Sequence, residues 1–142
     1  MTVSTYKDAI GTTFVVKKSV TSSTVLTTGI DLTGVSSGGE IAIEAIIFQT
    51  DGTGFATATN IEVRTDNAKG AVLLCAEAVA SLGASVTVNM LYSGVTVFHP
   101  MVLESGKKVT INATVMNAGG SGVCDVRLIC RRLAAGAALA AA

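Results

Sequence analysis

Catalysis needs a histidine, a thiol or a carboxylate beside a group that tunes its protonation, and this chain offers few. It has one histidine, His99, and three cysteines, Cys75, Cys124 and Cys130. A hydrolytic triad would need His99 beside a nucleophile and an acid. No Gly-x-Ser-x-Gly elbow accompanies it, so His99 reads as a structural or surface residue next to Pro100. A metal site fares no better, because no Cys-x-x-Cys or His-x-x-x-His pair occurs. Asp51-Gly52-Thr53-Gly54 shares only its first residue with a calcium loop and reads as a tight turn. Glu40, Ala42 and Glu44 share one strand face, and paired carboxylates can serve glycosidase chemistry. That face also carries Ile46 and Phe48, and no aromatic cleft accompanies it: the chain has no tryptophan and only two tyrosines, Tyr6 and Tyr92. Gly119-Gly120-Ser121-Gly122 joins two strands, whereas a phosphate cradle would open a helix. The sequence therefore predicts no catalytic residue, no cofactor and no metal.

The cysteines read as small buried apolar residues. Their odd number argues against a closed disulfide framework. Cys124 and Cys130 would lie about 20 Å apart along one strand, too far to bond each other. This suits synthesis in a reducing compartment. Lys7 and Asp8 interrupt the start, so no secretory leader is expected. The uncharged stretch between Glu77 and Glu104 is broken by Ser, Thr, Asn and Gly, so no membrane helix is expected either. Asn112-Ala113-Thr114 fits a glycosylation sequon, which carries no weight without such a leader.

Ten basic and ten acidic residues cancel, leaving no field to draw in nucleic acid or an anionic membrane. The basic pairs Lys17-Lys18, Lys107-Lys108 and Arg131-Arg132 each send one charge to either side of a strand. They read as solvated strand faces, with salt bridges to a partner as the other option. Charged residues make up only 14% of the chain, well under the usual ~25%. The surface must then be Ser, Thr, Gly and Asn, or be covered by a partner. A neutral chain does little to keep its own copies apart.

The elements behind these residues are strands. The 142 residues fit one domain, large enough to bury a core without staples. Thr, Val and Ile abound, and Gly and Ser interrupt them at short intervals. Strands are predicted at Thr12–Val20, Ser23–Leu32, Glu40–Thr50, Asn60–Thr65, Val86–Leu91 and Val95–Phe98. Pro100 starts a strand or sits at an edge. Glu40–Thr50 is apolar on both faces, because Ile41, Ile43, Ala45 and Ile47 oppose Ile46 and Phe48. Such a strand is central or lies at an interface. Lys107–Leu133 is predicted as one antiparallel hairpin. Val109, Ile111, Ala113 and Val115 face inward and Lys108, Thr110, Asn112 and Thr114 outward. In the second arm Cys124, Val126, Leu128 and Cys130 face in. Ala71–Leu82 is predicted as a strand followed by a helical turn ending at Gly83.

The expected fold is all-β: a two-sheet β-sandwich, jelly-roll-like, with little helix. Residues 12–133 form the domain. Residues 1–11 are an N-terminal arm and residues 134–142 an alanine-rich C-terminal tail. Each end is either frayed or an arm that docks on a neighbour.

Four stretches carry a resemblance: Thr65 to Gly70 (TDNAKG), Ala76 to Met90 (AEAVASLGASVTVNM), Leu103 to Ile111 (LESGKKVTI) and Arg131 to Ala137 (RRLAAGA). Together they resemble head decoration, or cement, proteins of tailed bacteriophages, over roughly residues 60–137. The resemblance implies a β-sandwich subunit, often trimeric, that binds where major capsid proteins meet on the capsid exterior. It carries no binding residue across, and the chain lacks an obvious long N-terminal arm. The function expected is thus a non-enzymatic virion subunit, made in the host cytoplasm, whose partners are the major capsid protein and copies of itself. A tail or head–tail junction subunit and a carbohydrate- or receptor-binding module are the alternatives.

Overall fold

The structure is a computed structural model. It describes residues 9–21, 29–54, 60–65, 72–78, 83–89, 96–97, 102–113 and 122–142. Ten strands and no helix occur among them: β1 (Thr13–Thr21), β2 (Ile30–Asp31), β3 (Ile41–Thr50), β4 (Asn60–Thr65), β5 (Val72–Ala78), β6 (Thr87–Asn89), β7 (Thr96–Val97), β8 (Val102–Leu103), β9 (Val109–Ala113) and β10 (Val123–Arg132).

The strands form two sheets. One runs β1-β10-β3-β6, with β8 also on β3; the other runs β2-β9-β4-β5-β7. All pairings are antiparallel. They nest: β1 with β10, β2 with β9, β3 with β6 and β4 with β5. Strands alternate between the sheets along the chain except at β4 and β5, which pair as neighbours in the second sheet, as if one long hairpin had been rolled over on itself. That is a jelly roll, the two-sheet solution to the problem of exposed edges. β7 and β8 are additions to its eight strands.

The inner faces supply the core. Ile41, Ile43, Ile46, Phe48, Val126 and Leu128 come from the first sheet, and Ile61, Val63, Val109, Ile111 and Ala113 from the second. Leu32 and Leu103 are buried with them. The Val, Leu, Ile and Phe side chains among them contribute about 1.5–3 kcal/mol each on full burial.

Three expectations are corrected. The predicted 107–133 hairpin does not exist: β9 lies between β2 and β4, while β10 lies between β1 and β3 in the other sheet. The chain crosses from sheet to sheet between them. Nor is the outer face of β9 a solvent face, because Thr110 and Asn112 are buried. As a central strand, β9 is flanked on both sides. Asn112 Nδ2 donates to Glu62 Oε2 at 3.1 Å and Thr110 Oγ1 to the Arg64 carbonyl at 3.4 Å. The helical reading of Ala76–Leu82 fails where it can be seen, since Ala76 to Ala78 continue β5 against β4. Residues 79–82 lie outside the described residues, as do 23–28 of the predicted second strand, Pro100 and the 117–121 loop.

β3 is central, as its apolar character implied, but both its faces are not core. Cys130 opposes Ile43 and Ile129 opposes Ala45, so the ladder skips Glu44. This β-bulge reverses the in–out alternation partway along the strand. Ile41 and Ile43 face inward before it, and Ile46, Phe48 and Thr50 after it. A single inward face thus explains the double pattern.

Candidate interaction surfaces

The groups with chemical potential are dispersed. Cys124 and Cys130 are free thiols on the inner face of β10. Burial pushes both up to about 12, so they stay neutral and are poor nucleophiles. The Cys75 side chain, His99, Tyr6 and Tyr92 lie outside the described residues. Among the described residues no group of three or more His, Cys, Asp or Glu is placed to hold a metal. Glu44 does not form a carboxylate couple with Glu40; the bulge presents it to Arg131, whose Nε lies 2.5 Å from Glu44 Oε1.

Asp51 makes the predicted turn. Its Oδ1 accepts the Thr53 and Gly54 N–H groups, both at 2.9 Å, and its Oδ2 accepts Val123 N–H at 3.1 Å. These bonds hold its carboxyl below the ordinary value, those from Gly54 and Thr53 most strongly. A cavity of about 260 Å3 beside it is lined by Gln49, Thr50, Asp51, Val123 and Asp125.

The outer face of the first sheet is a ladder of polar pairs around an apolar row. Ser19 Oγ donates to Asp125 Oδ1. Lys17 Nζ lies 3.2 Å and Arg127 3.7 Å from Asp125, and Arg127 also donates to Gln49 Oε1 at 2.9 Å. The Ser19 bond, and then Lys17, lower the Asp125 carboxyl. Next to these pairs, Val15, Ile129 and Ala45 stand in register across β1, β10 and β3. Val15 is 56% exposed.

The basic pairs split as strand geometry dictates. Lys17 faces out, whereas Lys18 faces the gap between sheets and donates to the Ala142 carbonyl oxygen at 2.7 Å. Arg131 faces out to Glu44, whereas the Arg132 guanidinium lies 4.4 Å over the Phe14 ring. Lys108 pairs with Asp31 at 3.0 Å. These named ion pairs are made within the chain, which is a solvated-face arrangement. The Asn112 amide of the sequon is buried.

The C-terminal tail is neither frayed nor an arm reaching away. It lies along residues 32–37 as an extra edge beside β2. Ala138 N–H donates to the Ser37 carbonyl at 2.8 Å and Ser37 N–H to the Ala138 carbonyl at 3.1 Å. Gly34 N–H donates to Ala140 at 2.9 Å, and Ala142 N–H to Leu32 at 3.1 Å. Ala137 and Leu139 enter the core. The composition of this segment gave no such signal, since nine small or apolar residues have no period to read. Of the N-terminal arm, only residues 9–11 are described. Gly11 N–H donates to the Arg132 carbonyl at 2.8 Å, and Ile10 is exposed.

No protein-family model matches the sequence, and no curated protein matches it.

Proposed function

We propose that the chain is a structural subunit of a viral particle. In this reading it is a decoration, or cement, subunit on the head of a tailed bacteriophage. It binds the major capsid protein and copies of itself through many shallow contacts, and it catalyses nothing. The observation that carries the proposal is the rolled two-sheet topology on a chain of zero net charge. Viral capsid domains use this architecture, and a chain of zero net charge with few charged residues suits lattice packing. Fold alone does not decide function; the resemblance over residues 60–137 supplies the choice of particle. Binding would come from apolar area buried on the lattice and from strand pairing at edges.

Lectin domains share the same topology, so a carbohydrate-binding module is the second reading. Two assays separate them. Purified chain is sedimented with phage heads assembled without it, and it is also applied to a glycan array. Saturable pelleting with heads and a blank array support the virion subunit. Saturable glycan binding without pelleting would replace it with the lectin reading.

A further inference from the structure

The exposed edges of the two sheets on one side of the sandwich are protected unequally. β1 is the edge of the first sheet. It presents Lys17 outward and turns Lys18 inward, and an inward charge on an edge strand blocks pairing with another chain. The edge of the second sheet is built by residues 138–142, beyond β2. Residues 133–142 contain no charged side chain and no proline. The Ala138 N–H and C=O, the Ala140 C=O and the Ala142 N–H bond to residues 32–37. Strand alternation sends the N–H and C=O groups of Leu139 and Ala141 the opposite way. Neither residue has a backbone partner among the described residues. Ala138, Ala140 and Ala141 are exposed. A shallow cavity of about 200 Å3, lined by Val35, Ser37, Ala138, Leu139 and Ala140, lies beside this edge, and Val35 is 63% exposed.

We propose that the Leu139–Ala141 edge pairs with the same edge of a second copy, antiparallel about a twofold axis through Ala140. The occupant is a second copy because the edge complements itself. Leu139 and Ala141 of one chain exchange N–H···O bonds with Ala141 and Leu139 of the other. Only methyl groups stand beside the axis, so two backbones can approach to the ordinary strand spacing of ~4.8 Å. An edge without charged side chains offers little to a charged partner, and two chains of zero net charge do not repel. A twofold contact is closed, so it stops at a dimer. The paired segment is short, so the dimer is weak and concentration-dependent. The inference does not rest on the virion reading, since it concerns the free protein.

Two measurements test it. Light scattering should show the mass rising from 14.3 kDa towards twice that value by about 1 mM, a range in which weak contacts register. Ala141→Pro removes one outward N–H and none of the bonds to residues 32–37. It should keep its thermal unfolding transition and lose the rise in mass. Ala140→Cys places two thiols opposite each other across the axis, within disulfide reach, and mild oxidation should give a covalent dimer. Ala135→Cys, exposed but off the edge, should give far less. A mass that stays monomeric, a trimer, a folded Ala141→Pro variant that still dimerises, or equal cross-linking at the two cysteine positions would each overturn the proposal.

Discussion

Gly38 lies so close to Gly136 that a Cβ built on Gly38 would stand 2.6 Å from the Gly136 carbonyl oxygen. Gly38 also has φ near +77°, a region that L side chains avoid. Two backbones therefore touch where the C-terminal segment turns back onto residues 32–37, and this contact seats the tail.

Gly38→Ala should consequently destabilise the fold by about 1–3 kcal/mol. The loss should fall first on the tail. Limited proteolysis should cleave within residues 134–142 of the variant under conditions that spare the parent. Urea unfolding gives the global cost.

The thiols of Cys124 and Cys130 predict an alkaline limit. Their folded value of about 12 stands above the ordinary thiol value of 9.0. The folded state therefore holds protons that the unfolded chain releases between those values. Stability from this source is complete below pH 9 and is lost as pH rises towards 12. Denaturant midpoints measured across that window should fall with pH, and Cys124→Val with Cys130→Val should flatten the slope. At pH 7 neither thiol should react with a maleimide until the protein unfolds.

Asp51 predicts the opposite dependence. Its carboxyl is lowered from 3.8 by bonds to Gly54, Thr53 and Val123. Its contribution is present above the ordinary carboxylate value and is lost as pH falls through the lowered one. Asp51→Ala should lower the melting temperature at neutral pH and lose less than the parent on acidification. Asp51→Asn, which keeps one acceptor oxygen, should fall between them.

The ion-pair ladder on the outer face of the first sheet should matter little to stability. The Arg131 and Glu44 side chains are each about two-fifths exposed. Arg131→Ala should cost about 0–1 kcal/mol. Leu128→Ala, on the inner face of the same strand, should cost about 2–5 kcal/mol. Chemical denaturation of both variants checks the contrast.

The sequence made the strands and inner faces of β4 and β10 legible because alternation is a local property. Ile61 and Val63, and Cys124, Val126, Leu128 and Cys130, face the core as their spacing dictates. Sheet membership is not local. β9 and β10 follow each other along the chain, yet each chose its partners from distant segments. The bulge at Glu44 was invisible because the register of β10 against β3 creates it. The buried Thr110 and Asn112 looked like solvent residues because their cover comes from β4, in the form of Glu62 and Arg64. The tail had no pattern at all, and its burial depends on the groove that residues 32–37 build. Lys18 read as half of a basic pair, and only the folded sandwich shows that it reaches Ala142.

The proposed role, a repeated subunit of a virus particle, requires the chain to travel with that particle. The measurement that tests it most directly is quantitative mass spectrometry of particles purified from lysates of the cells that make the protein. In that role the chain should co-purify with particles in a copy number comparable to that of the major capsid protein. A handful of copies per particle would move it to the tail or the head–tail junction. Absence from the particles, with the protein recovered only in the soluble fraction, would contradict that role.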